Sequence, residues 1–366
     1  VPFAAGRAGL PLGRRREHFK EDKVSQFRFS AGPWNVHEGA DAFGPPVRPA
    51  IAFEDKVRKF SELGFAAVQF HDDDAVPDMN DLSEPEIREK ARRVKAILDS
   101  HGMLAEFVAP RLWEDPRTID GAFTSNDACH REFAIWRALR SVDIARELGC
   151  NKIVLWLARE GTLCFESKNP VQGVKRLIEA IDRILEYGKE IQVLVEPKPN
   201  EPIDRSFCPS LGHVFALAER TKDPARVGGL LESAHAILAG FDPAGEIAFG
   251  LAMGKLWSVH LNDQNGLKYD QDKAFGVENL RQAFNQVRVL VENDYGANGE
   301  FVGLDVKAMR TQKVEESYRH LQNSLEVFRL LEEKARRFDY KFQEECVAAR
   351  DYERLEMYVL KLLMQG

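Results

Sequence analysis

The chain has 366 residues, 44% hydrophobic and 30% charged, a length that suits one large barrel or two modest domains around a real core. Its formal net charge of -7 argues against nucleic acid as the main partner, because nucleic-acid-binding proteins usually carry a basic domain or face. The cysteines at 129, 150, 164, 208 and 346 are scattered and form no CxxC, which reads as free thiols in a reducing, cytoplasmic setting, and no apolar run approaches the ~20 residues that cross a bilayer.

Residues 1–26 have no signal-peptide apolar core and are set apart as an N-terminal arm or trimmed end. From residue 27 onward, apolar strand-like runs alternate with amphipathic helical runs. "FRFSAGPW" precedes "FEDKVRKFSELG", "AAVQFHD" precedes "PEIREKARRVKAILDSHG", and "LAEFVAP" precedes "DACHREFAIWRALRSVDIARELG". "KIVLWLA" precedes "PVQGVKRLIEAIDRILEYGKE", "IQVLVEP" precedes "SLGHVFALAERT", and "VGGLLES" precedes "GEIAFGLAMG". "LWSVHLN" precedes "VENLRQAFNQVRVLVEND", and "FVGLDV" precedes "KVEESYRHLQNSLEVFRLLEEKARRF". Gly64, Gly102 and Gly149 stand where left-handed helix caps belong.

Eight strand–helix pairs make the count of a TIM (β/α)8 barrel. Two stacked Rossmann halves have a similar rhythm, but no G-x-G-x-x-G follows the first strand. The expected division is an arm over 1–26, a catalytic barrel over 27–338 and a helical tail over 339–366. That tail is not needed to close a barrel, so it is assigned to contacts between subunits.

Barrel chemistry sits at the C-terminal ends of the strands. Here those ends carry His71 to Asp74, Trp156, Glu196 with Lys198 and Glu201, Glu232 with His235, His260 with Asn262, and Asp305 with Lys307. Asp270 and Asp272 follow the seventh strand. Taken singly, each has an ordinary structural explanation: a solvated cap, an ion pair, a turn or a packing residue. Brought to one mouth, five carboxylates and two imidazoles would repel one another without cations. Carboxylates with one or two imidazoles suit Mg, Mn or Co.

The motifs "FHDDD", "WLAREG", "EPKPNEP", "LNDQNGLKYDQD" and "FTSND" resemble those of the D-xylose isomerase family, from about residue 28 to 335. The resemblance implies an aldose–ketose isomerase that converts D-xylose to D-xylulose by ring opening and hydride shift, with two divalent ions per subunit (Mn, Co or Mg). Glu196, Glu232, His260 and Asp305 would hold the first ion; Glu232, His235, Asp270 and Asp272 would hold the second. His71, oriented by Asp74, would open the ring, and Lys198 would polarise O1. Trp34, Phe43, Trp113, Val154 and Trp156 would surround the sugar, Phe43 coming from a neighbouring subunit of a homotetramer.

Two departures bear on the substrate. His260 and Asp263 replace the family's usual Asp and Gly, and "HLND" is similar to L-rhamnose isomerases. Ala109, Pro110 and Arg111 stand where a Thr-Thr-Asn is usual. L-rhamnose or another aldose is therefore the alternative substrate. The rival activities are a single-metal epimerase or lyase, a metal-dependent nuclease and a non-catalytic sugar-binding barrel.

Overall fold

A computed structural model describes residues 27–41 and 43–365. The strands are β1 (Phe29–Ala31), β2 (Ala67–His71), β3 (Leu104–Ala109), β4 (Lys152–Trp156), β5 (Gly161–Thr162), β6 (Gln192–Glu196), β7 (Arg205–Ser206), β8 (Val227–Glu232), β9 (Leu256–Leu261) and β10 (Val302–Leu304). Eight of them close a barrel in the order β1-β10-β9-β8-β6-β4-β3-β2, every pairing parallel, while β5 and β7 form a separate antiparallel ribbon. The barrel read from the strand–helix rhythm is therefore the observed fold.

The helices are α1 (Phe53–Leu63), α2 (Asp72–Ala75), α3 (Glu84–Ser100), α4 (Ala128–Leu148), α5 (Pro170–Tyr187), α6 (Leu211–Ala218), α7 (Ser233–Leu238), α8 (Pro243–Ala252), α9 (Leu280–Glu292), α10 (Arg319–Arg336), α11 (Tyr340–Ala349) and α12 (Tyr352–Met364). Helix α3 shows how local chemistry sets a boundary. Ser83 and Glu86 form a reciprocal capping box, and Ile87, Ala91, Val94 and Leu98 recur at helical spacing on its buried side. In α5, Asn169 accepts the Gln172 N–H at 3.1 Å, Pro170 opens the first turn, and Leu177, Ile181 and Ile184 face inward. Gly64 and Gly149 end α1 and α4 at φ 87° and 77°, the left-handed geometry that glycine adopts without a Cβ penalty.

The barrel interior is layered. Phe107, Ala109, Val154, Leu194 and Leu230 form a compact apolar cluster of their own. Below it, Glu106 accepts bonds from the Ser258 hydroxyl at 2.7 Å, the Gln69 amide at 3.1 Å and the Ser30 hydroxyl. Gly303 leaves room for Gln69, since a Cβ there would lie 2.3 Å from Nε2. The tail forms α11 and α12, separated by Arg350 at φ 55°. It folds back on the barrel through Phe338, Tyr340 and Tyr358, and the Tyr358 hydroxyl accepts the Asp339 N–H at 2.7 Å. No helix of the described chain is long and apolar enough to cross a membrane.

Candidate metal centre and active site

Parallel register brings the strand-end residues level. Trp156 of β4 pairs with Glu196 of β6, Glu232 of β8 with His260 of β9, and His260 with Gly303 of β10, two residues before Asp305. Glu196, Glu232, His260 and Asp305 accordingly present ligand atoms within 4.8 Å of one another. His260 aims Nδ1 at this group, 3.2 Å from Glu196 Oε1 and 3.7 Å from Asp305 Oδ2. Asp305 is steadied on its other side by the Trp34 indole N–H at 2.8 Å.

A second set, Glu232, His235 and Asp270, also gathers within 4.8 Å. The short α7 starts directly after Glu232 and turns His235 back, so that its Nε2 lies 3.0 Å from Asp270 Oδ2 and 3.4 Å from Glu232 Oε1. Glu232 belongs to both sets. Asp272, expected as a ligand of the second ion, is engaged differently: Oδ1 accepts the Asn262 amide at 3.0 Å and Oδ2 pairs with the Lys307 ammonium. Lys198 lies 2.9 Å from Asp270 Oδ2 and 3.4 Å from Glu201, with Trp156 beneath it at 5.1 Å.

The electrostatics fit divalent cations. Burial pushes Glu232 well above the usual carboxylate range, and Asp270, Asp272, Asp305 and Glu196 add to it. Burial raises Asp272 in the same way, reinforced by Asp270. Burial acts upward on Asp270 too, but His235 and Lys198 outweigh it and hold that carboxyl well below its ordinary range. Asp270 Oδ1 is buried without a hydrogen-bond partner among the described residues. A hard cation would relieve both the crowding of carboxylates and that orphaned acceptor.

His71 ends β2, and Asp74 accepts its backbone N–H at 2.8 Å. The expected Asp74 contact to the ring is longer, 3.5 Å from Nδ1, whereas Arg111 Nη2 approaches Nδ1 to 2.7 Å. A guanidinium only donates, so Nδ1 accepts and the ring proton resides on Nε2. Burial, with the Arg111 charge next, lowers His71 well below the ordinary imidazole value. Arg111 was legible only as a replacement for the asparagine of a Thr-Thr-Asn run; its hold on His71 spans two strand ends.

Trp34, Trp113, Val154 and Trp156 line the same cavity of about 420 Å3, together with His71, Lys198 and both ligand sets. Trp113 and Trp156 meet edge to face at 4.5 Å, and Trp34 lies tilted over His71 at 4.2 Å. Phe43 is outside this cavity, on a loop where it is 93% exposed. The lining residues not singled out in the sequence are Arg159, Phe107 and Pro202. A larger cavity of about 790 Å3 opens at the opposite end of the strands, around Glu106, Lys152 and Trp257. Its deeply buried charge, Glu106, is already satisfied by three neutral donors, which marks it as architecture.

A family model described as a xylose isomerase-like TIM barrel matches residues 57–324. Among solved structures the chain is similar to D-psicose 3-epimerase with D-tagatose from Clostridium cellulolyticum H10, at a TM-score of 0.62 and 12% identity, covering 83% of this chain and 99% of that one. It is similar to L-ribulose 3-epimerase at 0.61 and 16%, covering 88% and 99%. An AP endonuclease of family 2 from Brucella melitensis matches at 0.57 and 19%, covering 80% and 96%. Likeness at these identities establishes the shared barrel.

Proposed function

From the premise that this chain belongs to the xylose isomerase-like TIM-barrel family, we propose that it is a metal-dependent aldose–ketose isomerase using two divalent ions. The observation that carries this reading is the pair of adjacent ligand sets sharing Glu232. Glu196, Glu232, His260 and Asp305 would hold one ion, and Glu232, His235 and Asp270 the other, with Asp272 beside them. Bound there, the ions would supply Lewis acidity toward the sugar's oxygens.

The chain's own groups supply the rest. His71, neutral and protonated on Nε2, donates a hydrogen bond to the ring oxygen as the sugar opens. Lys198 places an ammonium beside Asp270, where it donates to the carbonyl oxygen at C1. Trp34, Trp113 and Trp156 wall the cavity and exclude water while hydrogen moves between C2 and C1. D-xylose is the first candidate substrate, because most of the strand-end motifs resemble that family. L-rhamnose is the second, because of His260.

One observation favours a single-ion epimerase instead. Lys198 and Lys307 already neutralise Asp270 and Asp272, as they would if only the four-residue set held a cation. The sugar epimerases among the similar folds are compatible with that chemistry. Product analysis separates the two: an isomerase makes a ketose from an aldose, whereas an epimerase inverts one carbon of a ketose and leaves aldoses untouched.

A further inference from the structure

One buried amide joins the two ligand sets, and the proposed chemistry leaves it unused. Asn262 follows β9 directly and lies at the root of the loop that carries Asp270 and Asp272. Its Nδ2 donates to Glu232 Oε1 at 2.9 Å and to Asp272 Oδ1 at 3.0 Å. Its Oδ1 accepts the Ala234 N–H at 2.8 Å, in the first turn of α7. An ionised carboxylate only accepts and a backbone N–H only donates, so these three partners fix which end of the amide faces which.

The three bonds reach every element of the second set. Glu232 ends β8, Ala234 precedes His235 on α7, and Asp272 stands two residues after Asp270. The loop is closed at its base by paired backbone hydrogen bonds between Asp263 and Lys273, at 2.9 and 3.0 Å. Asp272 itself holds φ at 44°, a left-handed conformation that residues other than glycine seldom adopt. Asn262 is where this loop meets Glu232, and its bond to Oε1 sets the rotation of that carboxylate. Oε1 lies 3.4 Å from His235 Nε2 of the second set, while Oε2 lies 3.8 Å from His260 Nδ1 of the first.

The chemistry of the donor matters as much as its position. Lys198 and Lys307 neutralise the carboxylates they touch. An amide carries no charge, so it orients Glu232 and Asp272 and leaves their negative charge for a cation.

We propose that Asn262 is a positioning residue: it turns one oxygen of Glu232 toward each ligand set and so makes this carboxylate the bridge between two ions. This rests on the two-ion reading of the site.

The test is calorimetric titration of the chelator-stripped protein with Mn, followed by electron paramagnetic resonance at saturating Mn, for wild type and Asn262→Ala. Wild type should bind two ions and give the exchange-coupled signal of a carboxylate-bridged pair. Asn262→Ala should bind its second ion roughly 10–100-fold more weakly, the usual cost of losing a partner that orients a ligand, and should lose less affinity for the first. With both sites filled, its coupled signal should give way to that of two uncoupled ions. Should the alanine variant fail to fold, Asn262→Ser carries the same test, because a single hydroxyl donor cannot bond both carboxylates. Two ions bound with unchanged affinities and an unchanged coupled signal in the variant would overturn the proposal and leave the two-ion reading standing. Equal losses at both sites would do the same, since they report a general loosening. So would two uncoupled ions in wild type. A wild-type protein that takes up only one Mn would sink the two-ion reading, and the proposal with it.

Discussion

Lys198 is buried, paired with Asp270 and seated over Trp156. If it donates to the carbonyl oxygen at C1, Lys198→Met should lower kcat ~100-fold or more while the bound-metal count stays unchanged. If it only closes an ion pair, the variant should lose thermal stability and keep most of its turnover. His260 makes a different prediction. In the metal-free chain burial acts to lower it, but Glu196 and Asp305 outweigh burial and raise it to about 9. Its folded value therefore lies above the ordinary one of ~6.5, so its stabilising contribution is fully present below ~6.5 and is lost as pH rises through 9. A cation must displace this proton to reach Nδ1, so metal affinity should fall progressively below pH 9. The rise in Tm on adding Mg or Mn should accordingly be larger at pH 8 than at pH 6; equal shifts would show that His260 does not ligate. Imidazole also favours the later metals, so His260→Asp should move the activity ratio from Mn toward Mg.

Helices α2 and α4 are tied by a buried ion pair that bears on the active site. Asp72, the residue after His71, receives Arg137 Nε and Nη2 at 2.7 Å each, the Ser141 hydroxyl at 3.3 Å and the Arg111 backbone N–H at 3.2 Å. Arg137→Met would leave Asp72 buried and uncompensated, which typically costs ~3–5 kcal/mol. A urea-unfolding difference below ~0.5 kcal/mol would contradict this account. These elements also show what the sequence discloses. The barrel strands are legible from their apolar runs and the helices that follow, and Glu196, Glu232 and His260 stand at or near strand ends because parallel register requires no further information. Helices α2 and α7 are not legible: four and six residues are too few for a helical period to show. Arg159 belongs to the quoted "WLAREG", yet its aim depends on a carbonyl 46 residues away. Arg111 reaches His71 across 40 residues. The engagement of Asp272 by Lys307 and Asn262 is likewise a tertiary contact that spacing does not encode.

At the scale of the whole molecule, the tail leaves Val347, Tyr352, Met357, Leu360 and Met364 exposed, and Phe43 stands out from the barrel mouth. Their burial between subunits is the expectation, so light scattering should report a dimer or tetramer, and truncation after Phe338 should shift that mass downward. A monomer with full activity would rule out a partner-supplied Phe43. The two adjacent ligand sets make the central claim, and metal stoichiometry coupled to product analysis tests it most directly. The protein is stripped by chelation, titrated with Mn, and assayed at each step for conversion of aldoses to ketoses. The account predicts two ions bound per chain, no ketose formed by the stripped protein, and ketose formation restored as the second ion binds. Saturation at one ion with only epimerisation of ketoses, or ketose formation that survives complete removal of metal, would contradict it.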